Sequence, residues 1–210
     1  TLRSSFANQG QICLCGSRIL IQRSVYDTFK LSLVAKASKM VAGDPLLPDT
    51  KLGAVVSEAH MQKIMSYIEL AKDEGGQVLC GGHRLHPEGV EGGFYVAPTI
   101  IEGLGPQCRT NQEEIFGPVV TLQPFDTEEE ALKLANDTAY GLAATLWTTN
   151  LKRAHRVAAG IESGMVWVNT WLLRDLRTPF GGVKDSGLGR EGGFEALEFF
   201  TESQNICIKL

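Results

Sequence analysis

Hydrophobic positions along this chain alternate between short continuous runs and helical stripes. Residues 1–15 read as a short helix that Gly16 breaks, and Ile19-Leu20-Ile21 follows as a buried strand. Ser24 then opens a helix with Asp27 as its capping-box acceptor, and Val25, Phe29, Leu33 and Ala37 form its inner stripe. Gly43-Asp44-Pro45 stops that helix, and Pro48 keeps the next loop extended. Ser57 opens a second helix with Met61, Met65 and Ile68 inward, and Gly75-Gly76 ends it. The Met pair reads as core filler. Val78-Leu79-Cys80 is a short strand. Phe94 to Ile101 is another, and Pro98 within it predicts an edge position.

Beyond a tight turn at Glu113–Pro118, Val119 to Phe125 reads as a strand and Thr127 caps a helix with Glu130 as box partner. Gly141 to Thr148 is apolar enough to be a central strand. Asn150 caps a helix carrying Ala154, Val157 and Ala158, and Met165 to Val168 is a further strand. Strands alternating with helices predict an α/β fold with a mostly parallel sheet flanked by helices. Residues 169–193 break the pattern with a glycine-dense loop of no periodicity, the kind of segment that usually carries function. A short helix, Phe194 to Phe200, follows. The tail, Asn205 to Leu210, alternates weakly and reads as an exposed strand, a template for pairing.

Composition narrows the class. Of 210 residues, 43% are hydrophobic and 21% charged, values that allow a sizeable core. The net charge of −4, with both signs interspersed, points to neither nucleic acid nor an anionic membrane, and no apolar run reaches spanning length. Five cysteines with no CxxC pair imply a reducing compartment, the cytoplasm, and no disulfide scaffold. Four scattered histidines argue against a metal site. His83 and His86, three apart on a loop, lack the Cys or acid partners a metal needs.

The candidate chemistry lies at Asn8-Gln9-Gly10-Gln11-Ile12-Cys13, with Cys15 close behind. A thiolate attacks carbonyl carbon, and Asn or Gln amides and backbone N–H groups can donate to the oxyanion that forms. By spacing alone both thiols read as buried small hydrophobes, the usual fate of free cysteine.

Phe6-Ala7-Asn8-Gln9-Gly10-Gln11-Ile12-Cys13 with Gly16-Ser17-Arg18 resembles the active-site cysteine signature of the NAD(P)-dependent aldehyde dehydrogenases. Two more blocks of that family occur in the expected order: Glu113-Glu114-Ile115-Phe116-Gly117-Pro118-Val119, and Pro179-Phe180-Gly181-Gly182-Val183-Lys184 with Ser186-Gly187 and Gly189-Arg190-Glu191. The resemblance makes Cys13 the nucleophile and Cys15 a bystander. It places Glu114 on the nicotinamide-side ribose of NAD (NADP being possible), Phe116 beside the nicotinamide, and Phe180 in the substrate pocket. Without that context Glu114 reads as a solvated charge, and Phe116 reads equally as core or as a functional aromatic.

The resemblance also divides the chain: a catalytic domain over 1–200 and an oligomerisation strand over 201–210 that would join subunits into a dimer or tetramer. The family's dinucleotide-binding domain, general-base glutamate and oxyanion-hole asparagine precede the cysteine, so they are expected outside this chain, and the isolated chain is expected to be inactive. A truncated isoform serving only as an oligomerising module is the alternative. Ile12-Cys13-Leu14-Cys15 and the run Trp171 to Phe180 look most like the muconic semialdehyde dehydrogenases, whose small-molecule aldehydes carry a carboxylate at the far end. Arg174 stands where the family pocket is usually apolar or aromatic. A guanidinium there suits a carboxylate, with Trp171 and Phe180 as further substrate-side residues. The competing role for Arg174 is an ion pair with Asp175 or Asp185.

Overall fold

The computed structural model describes all 210 residues. It gathers into two compact units, Thr1–Thr138 and Ala139–Leu210.

In the first unit the elements run α1 (Leu2–Phe6), β1 (Arg18–Gln22), α2 (Tyr26–Ala37), α3 (Glu58–Asp73), β2 (Gln77–Cys80), β3 (Arg84–Leu85), β4 (Tyr95–Val96), β5 (Thr99–Glu102), α4 (Arg109–Gln112), β6 (Val119–Phe125) and α5 (Glu128–Asn136). Four strands form one sheet in the order β1-β6-β5-β2. β1 and β5 both run parallel to β6, in register Leu20 with Gln123 and Ile101 with Thr121. β2 closes the edge antiparallel to β5.

The first five residues of β6 are all buried, as expected of a strand covered on both faces. Alternation sends Val119 and Ile101 to one face, where Met61, Ile64, Ile68 and Ala71 of α3 pack. Val120, Leu122 and Ile100 go to the other, with Phe6, Ile21, Leu33 and Ala37. Burying one such aliphatic side chain contributes about 1.5–3 kcal/mol, so this double-sided core holds the unit together.

The caps at Ser57 and Thr127 form as read, each hydroxyl accepting from the backbone N–H three residues on, His60 and Glu130, at 3.2 Å. Other elements depart from the sequence reading. The first helix stops at Phe6 and does not reach the cysteine, because Asn8 and Gln9 turn left-handed, at φ 49° and 58°. α2 starts at Tyr26 with no side-chain cap, because Arg23–Val25 form a separate 3₁₀ turn and leave Val25 exposed. The strand expected at the edge over 94–101 is two strands. β4 pairs with β3 in a hairpin, while β5 lies inside the main sheet between β6 and β2. Pro98, with no N–H to donate, falls where the chain passes between the two sheets.

The second unit holds β7 (Tyr140–Gly141), β8 (Ala143–Leu146), α6 (Leu151–Gly160), β9 (Met165–Val168), β10 (Val183–Lys184) and α7 (Gly193–Phe200). β8 and β9 pair parallel through the α6 crossover, and β10 pairs antiparallel with β7. Asn150 caps α6, accepting from Arg153 N–H at 3.0 Å, and Ala154 and Val157 are its buried residues. β8 is half-buried with β9 as its one partner, so it is not the central strand its apolar run suggested. Residues 201–210 are exposed and form no strand within the single chain, since a strand is defined by pairing and nothing here pairs with them. No helix is long and apolar enough to cross a membrane.

Candidate active site

Six non-glycine residues have positive φ: Asn8, Gln9, Phe116, Asn169, Leu172 and Lys184. All fall in the three sequence blocks or in the loop that leads into the third, and strained backbone of this kind concentrates at functional sites.

In the first block, Asn8, Gln9 and Gly10 are left-handed in succession. Gly10 admits no side chain: a Cβ there would lie 2.0 Å from the Gly117 carbonyl oxygen. The first block is thus pressed against the second. The Gln9 amide donates to Ala54 O at 3.2 Å and accepts from Gly53 N–H at 3.0 Å, while Gln11 Oε1 accepts from Val56 N–H at 3.1 Å. Asn8 Nδ2 donates to Gln11 O. The amides expected as oxyanion donors therefore brace the loop.

The two thiols differ sharply. Cys13 is exposed at the crest of a turn closed by Cys15 N–H to Ile12 O, 2.9 Å, and its own N–H makes no bond within the chain. Cys15 is half-buried, with Sγ 3.6 Å from the Ala7 carbonyl oxygen. Burial pushes its thiol pKa up.

In the second block, α3 holds the turn by its backbone. His60 Nε2 lies 2.7 Å from Phe116 O and must carry the proton, since a carbonyl can only accept. Lys63 Nζ donates to Glu114 O at 2.9 Å. Gly117 lets α3 approach, as a Cβ there would meet Ile64 Cδ1 at 2.6 Å. Phe116 is held left-handed at φ 59°. The two carboxylates again diverge. Glu113 accepts from Arg109 Nε at 2.6 Å and from the Tyr67 hydroxyl, and these bonds hold its pKa down at about 2. Glu114 is exposed, and its carboxylate has no partner in the chain.

The third block and the loop before it belong to the second unit. Phe180 exchanges backbone bonds with Glu191 at 2.7 and 2.8 Å. A Cβ on Gly164 would overlap Gly181 O at 1.7 Å, so β9 and this loop need a glycine there. A cavity of about 230 Å³ is lined by residues that include Met165, Trp167, Leu173, Arg174, Pro179 and Phe180. Arg174 Cζ sits 4.1 Å from the Phe180 ring centroid. It makes no ion pair: Asp175 is taken by Arg177, whose Nε and Nη2 reach it at 2.9 and 2.5 Å. That pair lowers the Asp175 pKa. The competing role for Arg174 is therefore not the one the chain adopts.

Of the sequence candidates, Arg174 and Phe180 share this cavity. Trp171 is half-buried and absent from its wall, where Trp167 stands, its Nε1–H donating to Leu173 O at 2.8 Å. Sequence reading passed over Trp167 because it looked like strand core. It also missed His60 and Lys63, whose targets lie more than fifty residues away.

A cysteine turn braced against a glutamate-bearing turn, on a parallel α/β unit, defines a class. The aldehyde dehydrogenase family pattern matches residues 1–206, and the chain belongs to that family. It is 51% identical over its full length to 2-hydroxymuconic semialdehyde dehydrogenase of Pseudomonas sp. (strain CF600) and 49% identical to 2-aminomuconic semialdehyde dehydrogenase of Bos taurus. It spans 43% and 44% of those proteins, less than half their length. Among solved structures, betaine aldehyde dehydrogenase of Staphylococcus aureus, crystallised with NAD+, matches 95% of this chain and 40% of its own at 41% identity and a TM-score of 0.92.

Proposed function

We propose that this chain is the cysteine-bearing catalytic part, over residues 1–200, of an NAD(P)-dependent enzyme that oxidises an aldehyde to a carboxylic acid, and that the aldehyde carries a second, remote carboxylate. One pattern carries the reading. In the first two blocks and in the loop before the third, the group the chemistry needs makes no hydrogen bond or ion pair through its side chain while a look-alike neighbour is tied up: Cys13 near Cys15, Glu114 beside Glu113, Arg174 near Arg177.

Cys13 thiolate adds to the aldehyde carbon, and the carbonyl oxygen takes the electron pair as a thiohemiacetal oxyanion. The free Cys13 N–H is the donor this chain offers that oxygen. NAD(P)+, when bound, supplies the hydride acceptor. An unpaired carboxylate suits a ribose because it accepts from both hydroxyls, so Glu114 would hold the cofactor, with the Phe116 ring beside it. Loss of hydride leaves Cys13 as a thioester. Water cleaves it to the carboxylic acid and frees the thiol, with its base supplied from outside these residues. Arg174, beside Phe180, would hold the far carboxylate through paired N–H donors.

The relatives' names favour a 2-hydroxymuconic or 2-aminomuconic semialdehyde as substrate. Assembly into a homo-oligomer through 201–210 is part of the same reading, supported by the exposed Phe194, Phe200, Ile206 and Ile208.

The test uses the full-length gene product. Cys13→Ala abolishes aldehyde oxidation and Cys15→Ala leaves most of it, with iodoacetamide alkylating Cys13 first. Activity that survives Cys13→Ala, together with labelling at Cys15, overturns the assignment.

A further inference from the structure

We infer that Phe180 is a positioning residue for Arg174, and that the two form one recognition unit for the remote carboxylate. This rests on the substrate reading of Arg174 given above and goes beyond it by assigning the ring a job other than lining a wall.

Arg174 is exposed, and an exposed arginine ordinarily samples many rotamers. Here its guanidinium lies 4.1 Å from the Phe180 ring centroid, within the range where a ring face attracts a cation. All five N–H donors of a guanidinium lie in its plane. Arg174 makes no hydrogen bond or ion pair, so a ring that attracts the cation leaves its donors available for the two parallel bonds a carboxylate needs.

The surroundings set up the same geometry. Trp167 Nε1–H bonds Leu173 O at 2.8 Å and pins the chain immediately before Arg174. Just after it, Asp175 accepts from the Arg177 N–H at 2.9 Å while Thr178 Oγ1 donates to Asp175 O at 2.7 Å, closing a turn. Arg177 also binds the carboxylate of Asp175, the acidic residue next to Arg174 in the chain, and so occupies an anion that could draw Arg174 off the ring. Phe180 itself is fixed by its backbone exchange with Glu191. Arg190 Nη1 ties the next turn, donating to Gly182 O at 2.8 Å. Both side chains line the same cavity. Everything that holds Arg174 thus stops short of its donors.

The experiment compares kcat/KM for a carboxylated semialdehyde with that for a neutral aldehyde of similar length, on the full-length gene product. Arg174→Ala lowers the charged-to-neutral ratio about tenfold to a hundredfold through KM. Phe180→Leu lowers the same ratio about two- to fivefold, the worth of an exposed cation–ring contact. Phe180→Tyr, which keeps the ring face, holds the ratio. In the Arg174→Ala background, Phe180→Leu no longer changes it. Phe180→Met tests the same point if Phe180→Leu does not fold. Competitive inhibition by adipate, a saturated dicarboxylate, weakens in parallel with the ratio. If Phe180→Leu and Phe180→Met alter both aldehydes equally while Arg174→Ala still discriminates, Phe180 is only a wall and the Arg174 reading stands alone. Additive effects in the double variant overturn the coupling as well. An Arg174→Ala enzyme with an unchanged ratio removes both readings.

Discussion

The loop that carries Cys13 is held from far along the chain, whereas the loop that carries Arg174 is held from nearby. Gln9 and Gln11 reach partners 44 and 45 residues on, and Gly10 is pressed against Gly117. Around Arg174 the ties span two, three and six residues: Arg177 to Asp175, Thr178 to Asp175, and Trp167 to Leu173. The first arrangement forms only when the first unit's tertiary structure forms. Whatever disturbs it disturbs the unit. The second is a local device whose charged residue is exposed, so its identity can change at little cost to stability. On the function proposed above, that division would put the chemical step on the rigid loop and the choice of substrate on the adjustable one.

The strongest way to break this comparison is at Gly10. Gly10→Ala places a side chain at φ +71° and 2.0 Å from Gly117 O. The left-handed penalty of roughly 1–2 kcal/mol and overpacking of roughly 1–3 kcal/mol then add to about 2–5 kcal/mol. Gly89→Ala, at φ +78° with nothing within 4 Å, meets only the first penalty. Denaturant midpoints of both variants check this. Equal losses at Gly10 and Gly89 would mean that the two blocks are not pressed together.

A smaller effect separates the neighbouring glutamates. Glu113→Gln lowers thermal stability, because a neutral amide offers Arg109 and Tyr67 one acceptor oxygen where the carboxylate offers two and a charge. The Glu113 pKa is depressed to about 2 from 4.5, so its contribution is fully present above pH 4.5 and disappears as pH falls toward 2. Wild-type stability therefore declines over that window, and the Glu113→Gln protein declines less steeply. Glu114→Gln leaves the melting temperature unchanged. It slows hydride transfer or raises KM for the cofactor and spares hydrolysis of an activated ester, which needs only the thiolate and an oxyanion donor. Loss of both activities by one factor would make Glu114 structural.

The smallest effect is at Asp175. Its pair with Arg177 is exposed, and exposed ion pairs contribute little to stability. Asp175→Asn keeps the wild-type melting temperature and modestly lowers KM for a carboxylated aldehyde, because it removes a competing anion. A melting temperature that collapses would show the arginine loop to be as globally held as the cysteine loop.

Element identity was legible in the chain itself wherever a local rule decides. Ser57, Thr127 and Asn150 cap their helices through a hydroxyl or amide three residues from its donor, a reach that needs no tertiary partner. Val119–Phe125 emerged as a strand because it opens on β-branched and apolar residues, Val119, Val120, Thr121 and Leu122, that suit a run buried on both faces. The three blocks announced the family for the same reason: their glycines, amides and acids are contiguous.

Tertiary structure decided what depends on distant neighbours. Periodicity could not show that Pro98 divides an interior strand from a hairpin, because the partners that make β5 interior lie in other parts of the chain. Nor could it show that Gln9 braces Gly53 and Ala54, that Glu113 goes to Arg109 while Glu114 stays free, or that Arg174 lies on Phe180 and not against Asp175. Each of those outcomes is a competition among chemically similar groups for one partner. The chain names the competitors, and the geometry of the folded backbone selects the winner.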